Sequence, residues 1–174
     1  MRAGEEATRL QARVSLGSNG RTEVSTGLPV LDHLLELLAS RAEFDLQLEV
    51  APGGPDAATA AAGRALGEAL RDLLAEEGAK GYGSAIVPAD EALASVALEA
   101  SGRPLLVSNV DLSDAHVAGF DRDLVSGFLS ELADAAGLTL HVRLLHGEDA
   151  SHVLEAIFKA LGGALAAAGA PRKE

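Results

Sequence analysis

The feature that most constrains this chain is an internal echo. Arg64-Ala65-Leu66-Gly67-Glu68-Ala69-Leu70 is answered 95 residues later by Lys159-Ala160-Leu161-Gly162-Gly163-Ala164-Leu165. Both segments sit in alanine-rich stretches of helical character, and the patterns that flank them fall in the same order. In the first half, Leu10, Ala12, Val14 and Leu16 alternate along a strand over residues 9–16. Gly17-Ser18-Asn19-Gly20 predicts a hairpin turn into a second strand near residues 22–25. Thr26-Gly27-Leu28-Pro29 opens a helix carrying Asp32, His33, Leu34, Leu35, Leu37 and Leu38. Phe44, Leu46, Leu48 and Val50 then alternate inward against Asp45, Gln47 and Glu49. After the loop Ala51-Pro52-Gly53-Gly54-Pro55, a long helix begins at Asp56, a natural N-cap, and runs to about Glu77.

The second half repeats the plan. Residues 78–83 form a turn-rich junction, and strands at about 91–100 and 105–110 are joined by Ser101-Gly102-Arg103-Pro104. Residues 112–119 are irregular, 120–136 read as a helix, 138–145 as a strand, 146–150 as a loop and 151–168 as the last helix. Each half is therefore strand, strand, helix, strand, helix. The expected fold is α+β, with two similar ββαβα halves, residues 1–80 and 81–174, and helices packed on antiparallel sheets. At 48% hydrophobic and 174 residues, the chain can bury one shared core.

Charge and composition narrow the function. A net charge of −12 argues against nucleic acid, which needs a basic face, and 3% aromatic residues leave little for base stacking. An anionic small molecule stays open, because a few cationic side chains in one pocket suffice. With no cysteine, disulfides and thiolate metal sites are excluded. No apolar run reads as bilayer-length and the start, with Glu5 and Glu6, does not look like a signal peptide, so the expectation is a cytoplasmic chain with no membrane partner.

Chemistry and architecture meet at residues 151–161. As a helix, this segment carries Val153, Leu154, Ile157, Phe158 and Leu161 in one apolar stripe. His152 and Glu155, three apart, leave from the same edge, and a histidine and carboxylate at that spacing can share a metal ion. On these residues alone the commoner meaning is a capped amphipathic helix, with Ser151 as N-cap. At the internal spacing, Ser151, His152 and Glu155 correspond to Asp56, Ala57 and Ala60; if the ancestral unit carried histidine and glutamate ligands there, the first half has lost its set and the second keeps most of its own.

Taken in order, Thr26-Gly27-Leu28-Pro29-Val30-Leu31-Asp32-His33, Phe44-Asp45-Leu46, Pro88-Ala89-Asp90-Glu91-Ala92-Leu93, Ser101-Gly102-Arg103-Pro104, Leu140-His141 and His152-Val153-Leu154-Glu155-Ala156-Ile157-Phe158-Lys159-Ala160 resemble one family, the imidazoleglycerol-phosphate dehydratases of histidine biosynthesis. The similarity runs from about Arg9 to Ala168. It implies a manganese-dependent dehydratase built of two ββαβα halves. Two metal ions would be held by two His-His-x-x-Glu motifs and single histidines. Sites would form between subunits, and trimers would assemble into a shell of twenty-four.

The chain departs from that pattern. The first motif reads Asp56-Ala57-Ala58-Thr59-Ala60 and the second Ser151-His152-Val153-Leu154-Glu155. A family histidine is Arg41 here, the first-strand glutamate falls near Ala7, and the phosphate-binding tail is replaced by Pro171-Arg172-Lys173-Glu174. What the resemblance leaves is a partial metal set, His33, His141, His152 and Glu155. Beside it stand catalytic remnants, Glu155, Asp90 and Glu91, and phosphate contacts, Arg103 and Lys159. Each has an ordinary structural meaning too: a packed or capping histidine, solvated turn charges, a glycine–proline turn, a snorkelling lysine. One set of ligands cannot make a two-metal clamp. The expectation is a paralogue without the two-metal reaction, holding no metal or a single divalent ion per site, and forming a homo-oligomer that stops at the trimer. Two alternatives remain. One is a working dehydratase with a rearranged site drawing on Asp56 and Asp149; the other is a non-catalytic structural or regulatory subunit that co-assembles with an intact homologue.

Overall fold

A computed structural model describes residues 11–17, 21–110, 116–117 and 120–172. Its strands are β1 (Ala12–Gly17), β2 (Glu23–Ser25), β3 (Asp45–Val50), β4 (Tyr82–Ala89), β5 (Ala92–Glu99), β6 (Leu105–Ser108), β7 (His116–Val117), β8 (Phe120–Asp121) and β9 (Thr139–His146). Its helices are α1 (Pro29–Ala42), α2 (Pro55–Leu74), α3 (Arg122–Ala136) and α4 (Ala150–Gly169).

The first sheet has the order β1-β3-β2, with β1 antiparallel and β2 parallel to β3. The second has the order β4-β5-β9-β6, with β5 antiparallel and β6 parallel to β9. The two halves thus share a three-strand plan, β1-β3-β2 and β5-β9-β6, in which the strand after the first helix lies between two earlier ones, and the second sheet adds β4 beside β5. This corrects the hairpin expected between β1 and β2. Residues 18–20 lie outside the described residues, but β1 and β2 are separated by β3. The physical reason is α1: a helix that connects two strands returns the chain to its starting end, so β2 and β3 pair in parallel and β1 takes the other edge.

The junction expected over residues 78–83 is also corrected, since β4 begins at Tyr82 and pairs with β5 through Ala89↔Ala92. Gly83 and Pro88 masked this strand in the sequence; proline is tolerated here because β4 is an edge strand. The alternation read in β3 holds: Leu46, Leu48 and Val50 are buried, and Gln47 and Glu49 are exposed. Two helix starts differ from expectation. α2 is capped by Gly54 with Pro55 at its first turn, so Asp56 lies inside the helix, and α4 is capped by Asp149 rather than Ser151. In both, the extended residue that precedes the first helical one sets the cap.

Helices of one half pack on helices of the other, α1 along α4 and α2 along α3, and these two pairs lie between the sheets, the first sheet on α1 and α2 and the second on α3 and α4. The crossings are close because of small residues. A Cβ at Gly67 of α2 would stand 2.9 Å from the Leu132 carbonyl oxygen of α3 and 2.7 Å from the Ala135 methyl. Gly162 of α4, 95 residues after Gly67, meets the Leu38 carbonyl of α1 in the same way, and Leu38 precedes Leu132 by 94 residues. Phe128 and Phe158 meet in the core with ring centroids 5.4 Å apart. α4 has the length and composition that could cross a bilayer, contrary to the expectation from the sequence; here it is the core helix, burying Val153, Leu154, Ile157, Phe158 and Leu161.

Candidate active site

The two halves carry different side chains where their last helices begin. α2 and α4 are each 20 residues long and start 95 residues apart, so Asp56, Ala57 and Ala60 stand where Ser151, His152 and Glu155 stand. The Asp149 carboxylate accepts the backbone N–H groups of Ser151 at 2.8 Å and His152 at 3.2 Å, satisfying two of the orphan donors of α4. The same first turn aims the His152 ring at the tight β4–β5 turn. There Asp90 adopts a left-handed conformation, φ 51°, which a short polar side chain tolerates.

Three acidic side chains surround His152. Its Nδ1 lies 3.0 and 3.1 Å from the two Glu91 carboxylate oxygens, and its Nε2 lies 3.3 Å from Asp90 Oδ2. Glu91 also accepts the Asp149 backbone N–H at 2.9 Å. That backbone donor is the main reason the Glu91 carboxyl is held below its ordinary value of 4.5, with the His152 ring adding to it. The hydrogen bond to Glu91 in turn raises His152 above its ordinary 6.5, against a smaller opposing effect of burial. One turn further along α4, Glu155 Oε1 lies 3.4 Å from Nε2 of His33 on α1. Pro29, Val30, Leu34 and Leu154 give this pair an apolar floor.

The fold brings Asp90 and Glu91 to His152, and Glu155 to His33. It does not bring in His141 or Arg103. His141 is mid-strand in β9, paired with Ala97 and Val107, and exposed on the sheet face opposite the helices. Arg103 lies in the turn after β5, whereas Glu91 immediately precedes that eight-residue strand, so they are about 25 Å apart along the sheet. The Arg103 backbone is fixed by Ser101 and Thr139, its N–H donating to Ser101 Oγ at 3.1 Å and its carbonyl accepting from Thr139 Oγ1 at 3.2 Å. Lys159 follows Glu155 by one turn and is half-buried. Asp149, considered from sequence as a metal ligand, is the helix cap, a role its position three residues before His152 could have announced.

The profile described as imidazoleglycerol-phosphate dehydratase matches residues 26–165. A relative from Pelobacter propionicus named imidazoleglycerol-phosphate dehydratase is 41% identical over 163 residues, covering 91% of this chain and 83% of the relative. The chain belongs to the imidazoleglycerol-phosphate dehydratase family. A relative of the same name from Syntrophobacter fumaroxidans is 42% identical over 91% of this chain and 82% of its own length. The crystal structure of the Staphylococcus aureus dehydratase superposes with a TM-score of 0.86 at 33% identity, covering 93% of this chain and 95% of that one. The Pyrococcus furiosus enzyme does so at 0.87 and 33% identity, covering 95% and 92%.

The family's metal chemistry can be tested against the donors present. Among the described residues, no three histidine, aspartate or glutamate side chains stand together as a metal cage. Both His152 ring nitrogens face carboxylates of the same chain, and the corresponding helix positions in the first half carry alanine. The donors of one chain do not fit a pair of ions.

Proposed function

We propose that this protein is a member of the dehydratase family of histidine biosynthesis that no longer performs the two-metal dehydration. The observation that carries this reading is the comparison of two equivalent helix starts. α4 presents His152 and Glu155, and α2 presents Ala57 and Ala60 at the same places. Two ions, each needing several donors, cannot be held by one surviving histidine–glutamate set. The test is turnover of imidazoleglycerol phosphate by purified protein with manganese added. Background rates are expected; manganese-dependent product formation that vanishes in a His152→Ala, Glu155→Ala double variant would overturn the proposal.

A second reading has its own support. Relatives that carry the dehydratase name are 41–42% identical over 91% of the chain, and Asp90, Glu91, His152, Glu155 and His33 lie along one edge of the fold. A working enzyme with a rearranged site, using a single divalent ion, would show turnover that follows the manganese concentration.

The partner proposed is another copy of this chain. Tyr82, Ile86, Leu105, Val107 and Leu145 leave large apolar surface exposed on the second sheet, Ile86 to 64%. The equivalent face of the first sheet carries Arg13, Ser15, Glu23, Ser25, Gln47 and Glu49. An apolar sheet face supports a metal-independent trimer. Without ions to bridge it further, and with −12 charges per chain, a larger shell is disfavoured.

A further inference from the structure

The two halves are joined by residues 75–81, and the segment that follows α4 folds back onto this junction. The Lys80 N–H donates to the Ala170 carbonyl at 2.9 Å, and the Arg172 N–H donates to the Gly78 carbonyl at 2.7 Å. Ala79 and Pro171 thereby face each other in an antiparallel bridge. The Arg172 side chain adds a third bond, its Nε donating to the Ala79 carbonyl at 3.2 Å. Packing does not back these bonds. No residue is buried over 75–80 or 170–172, and a cleft of about 960 Å³ is lined by both segments and the end of β5. The chain is anchored on either side of the junction. Leu74 is buried at the end of α2, and Gly81 donates to the Ala168 carbonyl at 2.8 Å and accepts from the Ala100 N–H at 2.7 Å. Between these anchors Gly78 adopts φ 94°, a conformation that glycine enters and leaves at little cost.

We propose that residues 75–80 and 170–172 form a clasp that opens as one unit while both halves stay folded. Each segment supplies the other's bonding partners, so releasing one releases both. The freed N–H and C=O groups pass to water, and little apolar surface is exposed with them. The halves do not part when the clasp opens, because α1 along α4 and α2 along α3 hold them together elsewhere. What changes is local. The link between Leu74 and Gly81 slackens, and Lys80 loses the backbone bond that helps keep its ammonium 4.8 Å from the centre of the Tyr82 ring. Tyr82 stands at the rim of the exposed face of the second sheet, so the clasp sets the order of that rim. It does not act on the start of α4, which lies at the other end of a 20-residue helix. The inference stands apart from turnover, from metal and from self-association, since every bond it uses lies within this chain.

The test is native-state amide hydrogen exchange of the full-length protein, followed residue by residue by NMR at low urea. The Lys80 and Arg172 amides are expected to exchange together. Relative to their intrinsic rates they should do so at least about 100-fold faster than Ile157 in the core of α4, and with little dependence on urea. Arg172→Ala removes the guanidinium bond and keeps both backbone bonds. It should speed exchange at Lys80 by about 2- to 10-fold, the effect of one hydrogen bond, and leave Ile157 unchanged. Gly67→Ala loosens the α2–α3 crossing and should do the reverse, speeding Ile157 and leaving Lys80 as it was. Lys80 and Arg172 amides that exchange only as fast as Ile157 would overturn the proposal, since the clasp would then open only with the whole fold. So would a Lys80 rate that ignores Arg172→Ala or rises with Gly67→Ala.

Discussion

Replacing Gly162 by alanine sets two effects of opposite sign against each other, and the structure says which wins. In an isolated helix the change is favourable by about 1 kcal/mol, since alanine loses less backbone freedom. In this fold the new methyl would overlap the Leu38 carbonyl oxygen and stand 2.9 Å from Arg41 Cβ. The neighbours are backbone and the root of a side chain, so relief requires α1 and α4 to move apart. Forcing an extra methyl into a packed contact costs about 1–3 kcal/mol, and here the backbone partner places it toward the upper end. The net expectation is a loss of about 1–2 kcal/mol, which in a domain of this size lowers Tm by roughly 2–8 °C. Gly169→Ala is the control: it lies at the end of the same helix, with nothing within 4 Å of its added Cβ, and should be neutral or slightly stabilising. Gly67→Ala, at the equivalent crossing of α2 and α3, should be destabilised like Gly162→Ala. Urea unfolding of the three variants provides the readout, through the midpoint at unchanged slope. A Gly162→Ala protein as stable as Gly169→Ala would show that the crossing is loose and the argument wrong.

Further expectations concern the site, the core and the surface. Stability supplied by the Glu91–His152 pair needs Glu91 ionised and His152 protonated. It is lost as pH rises through the raised His152 value and as pH falls through the lowered Glu91 value. The gap between wild type and Glu91→Gln should therefore be widest between about 4.5 and 6.5, the ordinary values of the two groups, and a pH-independent gap would contradict this. Leu46→Ala, at a fully buried position in the centre of the first sheet, should cost about 2–5 kcal/mol in urea unfolding; a loss under 1 kcal/mol would mean the sheet–helix layer is poorly packed. Ile86→Glu on the exposed face of the second sheet should leave the fold intact and reduce the mass seen by light scattering to that of a single chain. An unchanged mass would remove this face from the contact.

Much of the fold could be read from the residues alone because it is written in local periodicity. The alternation of Leu46, Leu48 and Val50 and the stripe from Val153 to Leu161 each depend only on which face of a strand or helix meets the core. The echo between Arg64–Leu70 and Lys159–Leu165 exposed the duplication, because both helices must pass a backbone carbonyl at Gly67 and Gly162. The absence of a histidine and a glutamate at the start of α2, where Ala57 and Ala60 stand, was also legible, being a matter of residue identity. Tertiary structure decided the rest. Strand order followed from where α1 and α3 return the chain, which no local pattern encodes, so a hairpin signal at Gly17–Gly20 did not become a β1–β2 pairing. β4 stayed hidden because its Pro88 is acceptable only at a sheet edge and its Gly83 reads as a break. The candidate site divided for the same reason: Glu91 and His152, 61 residues apart in sequence, are brought together by a turn and a helix start, while His141 is sent to the far side of the sheet by the two-residue period of its strand. Composition lists which groups are available; only packing sets which of them meet.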